Sequence, residues 1–355
     1  MLKWIWLGVF LLLAASPVSG NAGQQPCHSG AWRLPDGRLV TLMPSGDEGA
    51  LRYRLLDGTS GRLFPVGEGH YAGGPGFSSA PPPTVAELRG GCGDERLTLQ
   101  LPGTGPAQIE KLRLETADTE FRSGDIRLRG RLVRPPGDGP FPLVVLVQGS
   151  GDYSAVRFHA DQYMLPTRGI AVFLYDKRGT GRSEGSYTQD FHALAGDAAA
   201  AMAEARRMLG PQVTRAGYWG SSQGGWVAPL AARSSGADFL IVSYGLAHSP
   251  AREDQEEVDY RLAQLGYDAD VRARAREVTA ATARVMASGF TEGFEELAEA
   301  KRRYGTEPWF GHIEGEYSGE LLQHPEAALR AVGPTRDRGT PWNYDPLPVL
   351  RELRM

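Results

Sequence analysis

The chain has 355 residues, of which 41% are hydrophobic and 23% are charged, and its formal net charge is −4. These values are typical of a globular chain with one large core or two domains, and they exclude a largely disordered chain. Because both charge signs are interspersed, nothing in the sequence indicates a nucleic-acid-binding surface.

The N-terminus has the pattern of a secretory signal peptide. Lys3 precedes an apolar run over residues 4–15, and small residues follow that run. The run is shorter than the roughly 20 residues that a membrane span needs, which disfavours a membrane anchor. We therefore expect residues 1–23 to direct export and to be removed, leaving a secreted or periplasmic protein without a stable membrane span.

Two cysteines, Cys27 and Cys92, are present in the whole chain. An oxidising compartment would allow them to form a disulfide that closes the N-terminal region, and two unrelated thiols are the alternative. No Cys-x-x-Cys pair or histidine cluster has the spacing of metal ligands, so the sequence predicts neither a metal nor an organic cofactor.

Residues 24–106 are expected to form a small β-rich accessory domain. Short alternating segments are separated by turn residues, and the pairs Asp36-Gly37 and Asp57-Gly58 each lie between two such segments. Pairs of this kind are hairpin signals. The sequence does not indicate what this domain does.

From residue 107 onward the pattern changes to that of an α/β core. The run Phe141–Val147 is apolar throughout, as in a strand that is buried on both faces, and Ile170–Tyr175 is the next predicted buried strand. A further apolar strand is predicted over Phe239–Tyr244. An alanine-rich helix is expected over about 191–209. Apolar strands that alternate with helices predict a parallel sheet covered on both sides.

The candidate nucleophile is Ser222, which lies in a Gly-x-Ser-x-Gly pattern between a short strand and a helix. A sharp strand-to-helix turn exposes the serine hydroxyl and leaves no room for side chains two positions away, so Gly220 and Gly224 are expected to support the turn. Ser221 has the wrong spacing to these glycines. The pattern alone is weak in a chain with 46 glycines, and its context carries the interpretation.

Two further turns follow buried strands and should lie at the same edge of the sheet, because ligands bind at the carboxyl ends of parallel strands. The turn Gln148–Gly151 would face Ser222, and we expect the backbone N–H groups of Ser150 and Gln223 to form an oxyanion hole. We interpret the other turn, Asp176–Ser183, as mainly structural, with its aspartate and an arginine satisfying each other.

Together these segments resemble the α/β-hydrolase superfamily, and most closely its secreted, lid-bearing esterases related to the prolyl-oligopeptidase and serine-aminopeptidase branches. The resemblance covers about residues 112–244 and is carried by Val147–Gly151, Tyr175–Ser183 and Gly220–Gly225. It implies an open, mostly parallel sheet over residues 107–245, a serine nucleophile, and a lid inserted after the sixth strand.

The lid is expected over residues 246–345, with three helices between about residues 252 and 303. Aromatic residues are dense near its end, and they form either the core of the lid or a lining for the substrate. These residues are Trp309, Phe310, Tyr317, Trp342 and Tyr344.

The sequence departs from the family at its C-terminus. The family places the triad acid and histidine on loops beyond the lid, whereas residues 346–355 look like the lead-in to the next core strand. None of the seven histidines lies in the expected position, although His159 follows the oxyanion turn. We expect a chain truncated beyond Met355, with a sheet edge left apolar and uncovered; a degenerate homologue is the rival interpretation.

Two hypotheses of different classes follow. The first is an exported serine hydrolase that cleaves carboxylic esters through an acyl-enzyme on Ser222, with peptide or amide substrates as a close second. The second is a non-catalytic binding protein on the same fold, which the missing acid and base favour. The expected partner is a small ester or peptide rather than a nucleic acid, and the oligomeric state is not predicted.

Overall fold

The computed structural model of the chain describes residues 27–47, 49–74, 76, 84–245 and 247–355. The predicted signal peptide, residues 1–23, lies outside the described residues. No helix in the described part of the chain combines the length and the apolarity that crossing a bilayer requires.

The first folded unit is a closed barrel in which sequential strands pair antiparallel. Along the third strand every second residue is buried, which is the period of a strand with one face on a core. The Asp36-Gly37 and Asp57-Gly58 pairs lie in hairpin turns, as the sequence predicts. The strands are β1 (Gly30–Arg33), β2 (Leu39–Pro44), β3 (Leu51–Leu55), β4 (Ser60–Gly67), β5 (His70–Gly73), β6 (Thr84–Arg89), β7 (Arg96–Gln100) and β8 (Ala107–Lys111).

Strand β8 closes the barrel by pairing with β1, where Trp32 lies opposite Lys111. The barrel therefore ends at Lys111, one strand later than the boundary at residue 106 that the sequence suggests. Cys27 and Cys92 are joined as a disulfide with their Cα atoms 4.9 Å apart. This bond ties the chain before β1 to the connection between β6 and β7.

The second unit is a six-stranded sheet in the order β14-β13-β11-β12-β10-β9. Strands β9 and β10 form an antiparallel hairpin and β10 pairs antiparallel with β12, whereas β12, β11, β13 and β14 are parallel. The strands are β9 (Glu115–Ser123), β10 (Ile126–Arg134), β11 (Phe141–Val147), β12 (Ala171–Tyr175), β13 (Val213–Ser221) and β14 (Phe239–Ser243).

Strand β11 shows why its sequence is a continuous apolar run. Leu143, Val145 and Val147 pack in the large core with α3 (Phe191–Leu209) and α4 (Gly224–Ser235). Val144 and Leu146 point to the other face, where they pack with α1 (Ala155–Phe158). The predicted α/β fold with a mostly parallel, covered sheet is confirmed.

Residues 247–345 form a helical segment with two hydrophobic clusters of its own. Its first three helices lie where the apolar stripes predict them. The remaining helices are α2 (Asp161–Met164), α5 (Pro250–Gln264), α6 (Ala269–Ala287), α7 (Phe294–Tyr304), α8 (Ser318–Gln323), α9 (Glu326–Asp337) and α10 (Leu347–Glu352).

The last helix, α10, lies within residues 346–355, which the sequence predicts to be the lead-in to the next core strand. It packs on α4 and buries Val349 in the core of the sheet. Strand β14 pairs with β13 on one side, and within the described chain it has no neighbour on the other. Its Ile241 and Val242 are 43% and 40% exposed, so this edge is apolar and accessible.

Candidate active site

Ser222 lies at the tip of a sharp turn between β13 and α4. Its φ is +53°, a left-handed conformation that non-glycine residues rarely adopt, and its side chain is exposed. The strain is held in place on both sides: the Ser222 N–H donates to Ser243 O at 3.0 Å, and its carbonyl accepts from Gly225 N at 2.6 Å. A strained, exposed serine in this position is the geometry that the elbow interpretation requires.

The two flanking glycines are required by close backbone approaches. A Cβ at Gly220 would overlap the carbonyl oxygen of Gly224 and lie 2.8 Å from Ala228 Cβ. A Cβ at Gly224 would overlap the carbonyl oxygen of Val147 and lie 3.1 Å from its carbonyl carbon. Neither position has room for a side chain, so β11, β13 and α4 meet tightly beneath Ser222.

The turn Gln148–Gly151, called the oxyanion turn below, lies directly against the serine. Val147 and Gly220 are partners in the parallel pairing of β11 with β13, so the two strands end at the same edge. A Cβ at Gly149 would be 3.2 Å from Ser222 Cβ and 3.7 Å from its Oγ. The turn is therefore beside the hydroxyl, as the strand order predicts.

Ser150, Ser222 and Gln223 line one cavity of about 70 Å³, the Ser222 cavity. Gln223 is the N-cap residue of α4, and the first N–H groups of a helix have no intrahelical acceptor. The predicted donors thus share a cavity with the predicted nucleophile. Other lining residues come from the connection before α3 and from the helical segment, and most of them carry no functional signal in the sequence. They include Gln189, Glu253, Glu316, Tyr317 and Thr340.

A larger cavity of about 440 Å³, the apolar pocket, shares Ser150, Gln189, Tyr317 and Thr340 with the Ser222 cavity. Apolar side chains of the helical segment form much of its wall, among them Met286, Phe290, Leu321, Leu329 and Val332. Of the aromatic residues singled out from the sequence, Tyr317 and Trp342 line this pocket, whereas Trp309 is buried in the core of the helical segment. These aromatic residues are therefore divided between the core of the helical segment and the wall of the apolar pocket.

Two carboxylates give the Ser222 cavity an acidic wall. Burial, and after it the negative charges of Glu316, Glu257 and Asp254, together raise the pKa of Glu253 to about 7. Glu253 and Glu316 belong to the helical segment, and no spacing in the sequence connects them to the elbow.

The turn Asp176–Ser183 is structural, but its charges are satisfied differently from the prediction. Asp176 accepts hydrogen bonds from Ser154 Oγ at 2.7 Å and from Val156 N at 3.1 Å. Arg178 instead forms a two-point ion pair with Asp197 of α3, at 2.6 and 2.7 Å. The expected contact within the turn is made by the backbone, since Arg182 N donates to Asp176 Oδ2 at 3.2 Å, whereas the guanidinium of Arg178 pairs with Asp197 on another element.

Replacing Asp197 with alanine is expected to destabilise the fold by about 3–5 kcal/mol, because the side chain of Asp197 is fully buried and its loss leaves the Arg178 guanidinium without its partner. The matched control is Glu326→Ala, which removes an exposed ion pair to Arg330 on α9 and should change stability by less than about 1 kcal/mol. Urea unfolding followed by circular dichroism measures both. Equal losses of unfolding free energy in the two variants would contradict a structural role for the buried Arg178–Asp197 ion pair.

No histidine is among the described residues that line the Ser222 cavity. His159, which follows the oxyanion turn in the sequence, lies 3.5 Å from Asp161 and lines a separate cavity with Ser221. His324 lines the apolar pocket, where Lys301 donates to its carbonyl oxygen at 3.0 Å. Within the described part of the chain, no three His, Cys, Asp or Glu side chains are grouped as metal ligands would be.

A protein-family model described as serine aminopeptidase, S33, matches residues 138–264. The matched range contains the oxyanion turn, the turn Asp176–Ser183 and the elbow. Over 110 residues the chain is 32% identical to the quorum-quenching protein AidA of Acinetobacter baumannii (strain MDR-ZJ06), a match that covers 30% of this chain and 36% of that protein. The chain thus spans about a third of that relative's length.

Among solved structures, an esterase of Pyrococcus furiosus is 19% identical, with a TM-score of 0.35 over 45% of this chain and 60% of that one. An acylaminoacyl peptidase of Pyrococcus horikoshii is 18% identical, with the same TM-score over 61% of this chain and 37% of that one. The four parallel strands of the sheet and the elbow at Ser222 all lie within the residues that match the family model. Residues 138–264 of this chain therefore resemble serine aminopeptidases, and its larger sheet has the topology of an α/β-hydrolase fold.

Proposed function

We propose that the protein is an exported serine hydrolase that cleaves carboxylic esters through an acyl-enzyme on Ser222. The observation that carries the proposal is the exposed, left-handed Ser222 at the strand-to-helix turn, with the oxyanion turn against it. A strained serine at the carboxyl edge of a parallel sheet has no structural role that alanine or glycine would not fill, which favours a chemical one.

In the proposed reaction, Ser222 Oγ attacks the ester carbonyl carbon and loses its proton to a base. The carbonyl electron pair moves to the oxygen, where the N–H groups of Ser150 and Gln223 stabilise the negative charge. Collapse of the tetrahedral intermediate releases the alcohol, which takes up a proton, and water then hydrolyses the acyl-enzyme in the same way. The proposal assigns no residue to the base or the triad acid, since no described histidine lines the cavity.

The helical segment is proposed to act as the lid, with the apolar pocket accepting the acyl group. The volume of the apolar pocket, about 440 Å³, and its apolar wall suit a medium-sized hydrophobic acyl group. Export is proposed from the signal-peptide pattern of residues 1–23 and from the Cys27–Cys92 disulfide, because disulfides persist in oxidising compartments.

A fluorophosphonate probe tests the proposal, because an activated serine displaces fluoride from its phosphorus and becomes covalently labelled. Trypsin should release one peptide spanning residues 216–233, which contains both Ser221 and Ser222, and fragment-ion spectra distinguish them. We expect the label on Ser222. An intact, folded protein that takes up no label would instead support the non-catalytic binding protein.

A second candidate, a peptidase or amidase that recognises a free amino group, is favoured by one observation. Glu253 and Glu316 line the Ser222 cavity, and carboxylates there would pair with a substrate ammonium group. The ester and amide reactions use the same nucleophile and oxyanion donors, so the substrate rather than the chemistry separates the two candidates.

The pH dependence of substrate preference distinguishes them. Because the pKa of Glu253 is raised to about 7, its carboxyl is neutral below that pH and charged above it, while an α-amino group stays protonated up to about pH 8. For the second candidate, preference for a free-amine amino-acid ester over its N-acetyl counterpart should rise through about pH 7. That rise should disappear in Glu253→Gln and persist in Glu295→Gln, an exposed residue of α7. A pH-independent preference for the acetylated ester would leave ester hydrolysis as the function.

A further inference from the structure

Lys177, in the turn Asp176–Ser183, is a buried cation that the proposed reaction does not yet use. The residue is 3% exposed, and its Nζ donates to the carbonyl oxygen of Gly149 at 2.7 Å. Among the described residues Lys177 forms no ion pair, although the negative charge of Asp152 acts on it from a greater distance. Buried charges are normally paired, so an ammonium group held by a backbone carbonyl needs an explanation.

The carbonyl that Lys177 contacts belongs to the peptide group whose other end is the N–H of Ser150. A peptide group is planar and trans, so its C=O and N–H point in opposite directions. Fixing the direction of the Gly149 oxygen therefore also fixes the direction of the Ser150 N–H. A charge-assisted bond to the oxygen in addition polarises the amide and strengthens the N–H as a donor.

The next peptide group of the oxyanion turn is also held by a side chain. Tyr187 donates its hydroxyl to the carbonyl oxygen of Ser150, and its ring lies 5.0 Å from Lys177 Nζ. The side chain of Gln148 donates to Tyr153 O at 3.2 Å. The turn is thus fixed at successive positions, and Lys177 brings the only ammonium group among these contacts.

We propose that Lys177 is a positioning residue for the oxyanion hole, holding and polarising the Gly149–Ser150 peptide group so that the Ser150 N–H faces the Ser222 cavity. The inference rests on the proposed function, since it needs an oxyanion at that place. It gives a role to Lys177, whose hydrogen-bond acceptor belongs to the oxyanion turn. Asp176 and Arg178 bind the surrounding scaffold.

The proposal has a pH signature. The pKa of Lys177 is lowered to about 8, because the effect of burial outweighs the opposing effect of the negative charge of Asp152. The ammonium form is therefore present below about pH 8 and is lost as the pH rises through that value. The other groups that face it are Tyr187, whose pKa burial raises, and Arg338, which lies over the same tyrosine ring. Because its pKa is raised, the Tyr187 hydroxyl stays neutral near pH 8.

The experiment compares wild type, Lys177→Met and Lys177→Arg in steady-state hydrolysis of a p-nitrophenyl ester between pH 6 and 9.5. Lys177→Met is expected to lower kcat by about 10²–10³-fold with little change in KM, the signature of a lost transition-state interaction. Wild-type kcat should fall through about pH 8, and this fall should be absent from both variants. Lys177→Arg, which keeps a charge throughout this range, should recover part of the loss.

The control is Lys111→Met in the barrel, where the lysine also donates to a backbone carbonyl, that of Cys27, and where kcat and its pH profile should be unchanged. Thermal unfolding checks that each variant folds; if Lys177→Met does not, the profiles of wild type and Lys177→Arg decide. A Lys177→Met kcat within about threefold of wild type, or an unchanged alkaline fall in either variant, overturns the inference. If the fluorophosphonate probe does not label wild type, the proposed function is overturned, and this inference with it. If the probe labels wild type and Lys177→Met at equal rates, only the inference is overturned.

Discussion

Ser222→Ala is expected to reduce kcat for an activated ester by on the order of 10⁴–10⁶-fold, because the variant has no oxygen to form the acyl-enzyme. The residual rate would come from the oxyanion donors and from substrate binding. Stability should hardly change, since the Ser222 side chain is exposed and both backbone hydrogen bonds of the turn remain. Turnover of a p-nitrophenyl ester and thermal unfolding measure the two effects.

Ser221→Ala provides the matched control, because it removes the adjacent hydroxyl of the same turn. Ser221 is the last residue of β13 and lines the cavity of His159 rather than that of Ser222. We expect this variant to keep kcat within a small factor of wild type. If the two alanine variants lost activity equally, the nucleophile would not be assigned to Ser222.

Gly220→Ala is expected to destabilise the protein by about 3 kcal/mol or more and to remove activity, since overpacking a closed site forces the backbone to shift. The added methyl would overlap the carbonyl oxygen of Gly224, which is backbone and cannot rotate away. Relief of the overlap must separate β13 from α4, and this displaces the Ser222 hydroxyl from the oxyanion turn. Urea unfolding and probe labelling follow the two losses.

Gly196→Ala makes the same chemical change where there is room for it. Gly196 lies exposed within α3, and a Cβ there would meet nothing within 4 Å. Alanine should stabilise this helix by about 0.5–1 kcal/mol, because glycine loses more backbone freedom on folding. A loss of stability at residue 196, or none at residue 220, would contradict the packing argument.

The sequence by itself determined the elements whose signals are local. The helix predicted over about 191–209 begins at Phe191, where the N-cap Asp190 accepts hydrogen bonds from the next turn. The apolar run Phe141–Val147 is a strand buried on both faces, and the elbow around Ser222 is where its glycines predict it. Capping, side-chain periodicity and the sterics of one tight turn depend on neighbouring residues, so they can be inferred without knowing the rest of the fold.

The tertiary structure alone decided which distant residues meet. It closed the barrel by pairing Trp32 with Lys111, and it gave Arg178 a partner on α3 instead of within its own turn. It also placed the Lys177 ammonium group against the Gly149 carbonyl of the oxyanion turn, and it placed Glu253 of the helical segment in the wall of the Ser222 cavity. These contacts join elements separated by tens of residues, and their formation depends on how helices pack across the sheet. Local periodicity predicts that a helix has a buried face but not which strand ends that face will cover.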